Sequence, residues 1–168
     1  MKEMTMSRTK ENVVYEKLTL EQWRELTAQD PEMSVDVFTR GISMFPLLRS
    51  NGDSVKLIPF SREMRKGDII MFIRADGQEI IHRLCWIGED AVQTIGDNCD
   101  RRDSIVPVSS VVGLVTHVCN RGHLIHVDSG FWVFYGKFMM WSNPFRMFIR
   151  NKLYRPLRRL ARRIIKGK

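Results

Sequence analysis

The sequence predicts a mainly β domain with a short N-terminal helix and a basic, amphipathic helical C-terminal tail. Three observations predict it. Seven strand-length runs, several of them β-branched, are separated by Gly-Asp punctuation. No long helical pattern intervenes, which argues for an all-β or β-dominated domain. After Asp128 the apolar spacing changes to steps of three to five, the period of a helix.

Residues 1–32 read as a polar arm followed by a short helix. Thr19 to Gln22 forms a capping box, Leu20, Trp23 and Leu26 share a helical face, and Asp30-Pro31 ends the helix. Residues 33–128 carry the strand candidates Val35–Arg40, Ser54–Pro59, Asp68–Arg74, Glu79–Ile87, Ala91–Ile95, Val111–Cys119 and His123–Val127. Asn120-Arg121-Gly122 between the last two reads as a hairpin loop. Residues 129–168 form the tail. It opens with an aromatic block, Phe131 to Trp141. An apolar stripe follows at Phe145, Phe148/Ile149, Leu153, Leu157, Leu160 and Ile164, and Pro144 and Pro156 are expected to break or kink it.

Charge separates these regions. Of the 27 Lys+Arg, 16 lie in residues 1–130 with all 19 Asp+Glu, a sum of −3; the other 11 lie in residues 131–168 with no acid, a sum of +11. The basic character therefore belongs to the tail, and reading the whole chain as a nucleic-acid binder from its charge would be misplaced. The tail fits an anionic membrane surface best, then a partner or its own domain, and nucleic acid last. No stretch reaches 18 uncharged apolar residues and the start lacks an apolar signal core, so neither a spanning helix nor a cleavable signal is expected. A peripheral membrane or cytoplasmic location is the expectation. Three cysteines with no Cys-x-x-Cys predict reduced thiols. His117, Cys119, His123 and His126 fall within ten residues, but their spacing and strand alternation disfavour zinc. No metal and no cofactor are expected.

Four segments carry the chemistry. Gly41-Ile42-Ser43-Met44-Phe45-Pro46 places a serine on constrained backbone. Arg65-Lys66-Gly67-Asp68-Ile69-Ile70-Met71-Phe72 follows, then Ile80-Ile81-His82-Arg83, then Thr94-Ile95-Gly96-Asp97-Asn98 with Asp103 beyond. A serine hydroxyl is a weak nucleophile and needs a base; a histidine, with an ordinary pKa near 6.5, can take its proton and return it to a leaving amine. A carboxylate would then hold the imidazole, and Asp97 and Asp103 compete for that part, with Asp100 a weaker candidate. Cys99 reads as an incidental loop cysteine.

In this order the four segments resemble the signal peptidase I family and the self-cleaving SOS-type repressors, over about residues 35–120. His82 followed by Arg83 resembles the endoplasmic-reticulum, archaeal and SipW-like branch, whereas other branches place a lysine there. The resemblance implies a coiled antiparallel catalytic core and a serine endopeptidase that cleaves signal or leader peptides. Ser43 is the implied nucleophile, His82 the base and Asp103 the orienting acid, with Asp97 organising its loop. Met44 belongs to the Ser-Met-x-Pro box. Gly41 stands where many relatives have a serine that helps the oxyanion hole, so backbone donors such as the Ser43 N–H must serve. Substrate would bind as an extended strand with small residues flanking the cut. No N-terminal anchor of the family's kind is expected from this sequence, an expectation that favours a peptide on the cytoplasmic side. The competing reading is a non-catalytic regulator or scaffold of the same fold that binds a partner or membrane through its tail.

Overall fold

The computed structural model describes residues 4–5, 17–18, 20–30, 33–49, 52–59, 64–154 and 156–157. Its strands are β1 (Met4–Thr5), β2 (Lys17–Leu18), β3 (Val35–Phe38), β4 (Ser54–Ile58), β5 (Ile69–Ile73), β6 (Glu79–Ile87), β7 (Ala91–Ile95), β8 (Val106–Pro107), β9 (Val111–Asn120) and β10 (His123–His126). Helices α1 (Leu20–Gln29) and α2 (Gly130–Ile149) flank them. The protein is mainly β: eight antiparallel strands form one curled sheet in the order β3-β4-β9-β5-β6-β7-β8, with β10 paired to β9. β1 and β2 pair separately within the polar arm. Thr19 and Pro31, which bound the expected helix, lie outside the described residues, as do Leu160 and Ile164.

Strand alternation explains the core. In β5 the run Ile69-Ile70-Met71-Phe72 is buried throughout, because both faces of this strand are covered. Ile69 and Met71 pack with Val35, Leu57, Val118 and Trp23, whereas Ile70 and Phe72 pack with Leu84, Val92 and Leu114. Each aliphatic side chain buried this way contributes about 1.5–3 kcal/mol. The Trp23 indole closes the first cluster from α1 and donates its Nε1–H to Val112 O at 2.8 Å.

Three regions differ from expectation. β8 is a two-residue strand, too short for a periodicity to reveal. Pro144 does not end α2, which continues five residues further. Around it Arg146 hydrogen-bonds Met139 O at 2.7 Å and Ser142 Oγ at 3.0 Å, so a guanidinium braces the turn that the proline disturbs. The helix then loosens into a wide turn over Arg150–Tyr154. Finally, α2 lies on the domain: Gly136, Met139, Ser142, Asn143 and Met147 are buried beneath it. Trp132 and Tyr135 pack against the core, whereas its other aromatic residues point the other way. Phe131, Phe134, Trp141, Phe145 and Phe148 are all more than half exposed.

Candidate active site

Ser43 sits in a turn between β3 and β4. Met44 is buried in the core and Leu48 N–H bonds Met44 O at 3.0 Å, which anchors the turn from below. Gly41 has φ 91°, and Ile42 and Phe45 remain exposed on either side of the half-buried Ser43. The buried Asp53 carboxylate accepts Arg49 N–H at 2.7 Å and Arg121 N–H at 3.2 Å, tying the end of this segment to the β9–β10 hairpin.

His82 and Arg83 are consecutive on β6, so they leave the sheet on opposite faces. That alternation separates the two acids. His82 Nδ1 lies 2.5 Å from Asp103 Oδ2, which also accepts Thr94 Oγ1–H at 2.6 Å. Arg74 binds the other oxygen of Asp103. Thr94 reaches the pair because the β6–β7 register sets it opposite Leu84, two residues past His82. Arg83 instead grips Asp97 with both arms, Nε to Oδ1 at 2.8 Å and Nη2 to Oδ2 at 2.7 Å, in a nearly fully buried pair. Its remaining nitrogen donates to Gly67 O at 2.8 Å, and its plane lies over the Tyr135 ring. Burial and the nearby Asp97 charge push the Tyr135 phenol up to about 12.

The loop after β7 joins these parts. Asn98 N–H donates to Ser43 O at 2.7 Å and its side-chain amide to Ile42 O at 3.1 Å. Gly96 is the closest point of contact: a Cβ there would come within 2.7 Å of Cys99 Sγ, 2.7 Å of Ser43 O and 2.9 Å of His82 Nε2. Only a residue without a side chain lets the Ser43 turn, the imidazole and this loop meet. Cys99 Sγ and His82 Nε2 thus converge on the same point at Gly96. Among the described residues no hydrogen bond joins Ser43 Oγ to His82, and no backbone bond uses the Ser43 N–H as donor.

From the far side α2 clasps the same loop. Asn143 donates to Cys99 O at 3.0 Å, Arg146 to Asp97 O at 2.8 Å, and Arg150 to Asn98 Oδ1 at 2.7 Å. Gly136 lets the helix approach, since a Cβ there would lie 2.7 Å from Arg83 Nη1. These contacts were missed at the sequence level, although Asn143, Arg146 and Arg150 recur at three and four, the spacing of one helical face.

Electrostatics follow from the geometry. Burial pulls the His82 pKa down, but its hydrogen bonds to Asp103 and Cys99 and the Asp103 charge outweigh burial and push it up to about 9. Burial alone would raise the Asp103 carboxyl, yet its bonds to His82, Thr94 and Arg74 hold it below the usual carboxylate range. An imidazole fixed at Nδ1 by a carboxylate offers Nε2 for proton exchange on the side where Ser43 and Cys99 lie. Elsewhere His117 and His126, opposed across β9 and β10, stack with centroids 4.5 Å apart; no group of three possible metal ligands exists among the described residues.

Comparison with known proteins finds no matching family model, no matching curated protein and no matching solved structure.

Proposed function

We propose that the protein is a serine endopeptidase of the signal peptidase I type that cleaves signal or leader peptides, with Ser43, His82 and Asp103 as its triad. The observation that carries this reading is the buried His82–Asp103 pair, with Nε2 and the Ser43 turn both in contact with the Gly96 position. Neutral His82 takes the Ser43 proton through Nε2 as the hydroxyl oxygen attacks the scissile carbonyl. Asp103 keeps the other proton on Nδ1 and stabilises the imidazolium that forms. The imidazolium then protonates the leaving amine, and water releases the acyl group by the reverse sequence. The Ser43 N–H serves the developing oxyanion. Asp97, neutralised by Arg83, shapes the loop and takes no proton in this scheme.

The test is cleavage of a synthetic peptide library with small residues at the cut, followed by mass spectrometry. Ser43→Ala should lower turnover at least about 10³-fold with an unchanged far-UV spectrum. Retained turnover in Ser43→Ala would overturn the assignment. The absence of a Ser43–His82 bond favours the scaffold reading, which predicts no turnover in any variant.

Localisation belongs to the same reading. No helix among the described residues is long and apolar enough to cross a membrane. The outward aromatic face of α2, with Trp141 80% exposed, and the +11 balance of residues 131–168 support peripheral attachment to an anionic lipid surface. Its substrates would then be peptides held at or near that surface.

A further inference from the structure

The sequence reads Cys99 as an incidental loop residue, and the fold sets it beside the candidate site. Its backbone is fixed on both sides: its N–H donates to Gly96 O at 2.9 Å, and Asn143 binds its carbonyl at 3.0 Å. The neighbouring Asn98 is held by Ser43 O. This turn brings the half-buried thiol, His82 Nε2 and Ser43 O to one point, each within 3 Å of where a Gly96 Cβ would lie. The other cysteines lie elsewhere on the sheet. Cys85 donates its thiol to Gln93 O at 3.2 Å, and burial pushes that thiol up. Cys119 lies on β9 opposite Ser54 and Leu124.

We propose that Cys99 is a thiol modification site that switches the His82–Asp103 pair off when it reacts with low-molecular-weight disulfides. Thiols beside an imidazole are the ones that exchange readily. Neutral His82 takes the Cys99 proton at Nε2. The thiolate sulfur attacks one sulfur of the disulfide R–S–S–R, the S–S bond breaks, and a Cys99–S–S–R bond forms. The departing RS⁻ takes the proton back from His82 and leaves as RSH, so no net oxidant beyond the disulfide is consumed. The adduct is carried on a sulfur at the point where Nε2 and Ser43 O converge. The bound group therefore displaces substrate from the base. This loss of turnover rests on the peptidase reading above; the reactivity of the thiol does not.

The experiment treats the full chain with glutathione disulfide and follows each cysteine by peptide mass mapping. Cys99 should form the mixed disulfide at least about 10-fold faster than Cys85 and Cys119. His82→Gln should slow Cys99 by a similar factor and leave the other two unchanged. Asp103→Asn, which keeps the packing, should slow it in the same direction. Peptide turnover of the wild type should fall with Cys99 occupancy and return with dithiothreitol. Turnover of Cys99→Ser, whatever its level, should be insensitive to the disulfide. Equal rates at the three cysteines, or a Cys99 rate that ignores both His82→Gln and Asp103→Asn, would overturn the proposal. If no variant cleaves peptides, the peptidase reading fails while the labelling rates still decide the role of the thiol.

Discussion

Replacing Asp103 by asparagine tests the electrostatics of the site most directly. The groups that face His82 are Asp103, itself bound by Arg74 and Thr94, and Cys99. Together they carry the imidazole from 6.5 to about 9 against its burial, a preference for the charged form of roughly 3 kcal/mol. Asparagine keeps the shape but removes the charge, so burial prevails and His82 should titrate near or below 6.5. A proton NMR titration of the His82 ring reads this shift. The wild-type rate should climb toward pH 9 as neutral His82 accumulates, whereas Asp103→Asn should plateau below pH 7 at a rate about 10⁴-fold lower. Stability follows the same linkage. His82 has a raised folded pKa, so its contribution is complete below about pH 6.5 and fades as pH rises through about 9. Asp103 has a depressed one, so its contribution holds above about pH 4 and is lost as pH falls through its folded value. The melting-temperature gap between wild type and Asp103→Asn should therefore be wider at pH 6 than at pH 10. A His82 that still titrates near 9 in Asp103→Asn would refute the reasoning, because the rise would then come from elsewhere.

Three further outcomes are expected. Arg83→Leu strands the buried Asp97 carboxylate and should cost about 3–5 kcal/mol in denaturant unfolding, while the double variant Arg83→Leu/Asp97→Leu recovers much of it. Gly96→Ala forces a methyl against backbone and imidazole, so it should lower both turnover and melting temperature, and a crystal structure would reveal the displaced loop. Wild-type protein should cosediment with phosphatidylserine vesicles at 50 mM salt and largely release at 500 mM, and Trp141→Ser/Phe145→Ser should weaken binding without unfolding the chain; full-length protein that stays in the supernatant at low salt would exclude the lipid surface.

The strands were legible because β-branched runs and Gly-Asp turns mark them locally, and most boundaries fall within one or two residues of the observed ones. The Asp103 assignment came through motif resemblance, and alternation along β6 supplies its physical reason. The partner of Arg83 was not legible, because which acid faces which side depends on a loop path that no spacing encodes. The position of Cys99 was not legible for the same reason: it depends on a tight turn closed at Gly96 O. The inner face of α2 was hidden by its composition. It buries Gly136, Ser142 and Asn143, small or polar residues, beside Met139 and Met147, while most of the conspicuous aromatics that hydropathy detects face outward. A hydrophobic stripe identifies a surface that needs covering, and here the domain is held by the opposite one.

The consecutive placement of His82 and Arg83 also dictates which sequence changes this chain can survive. Substitutions at exposed positions of β6 alter one side chain at a time. Adding or deleting a single residue between Glu79 and His82 would turn every later side chain over, delivering a guanidinium to the Asp103 side and an imidazole to the Asp97 side. The irregular pairing between Leu84 and Trp86 comes just after the pair, and an extra residue is already accommodated there. Length variation among descendants of this sequence should therefore accumulate beyond Leu84, toward the β6–β7 turn, while the stretch leading up to His82 keeps its residue count even as its letters drift.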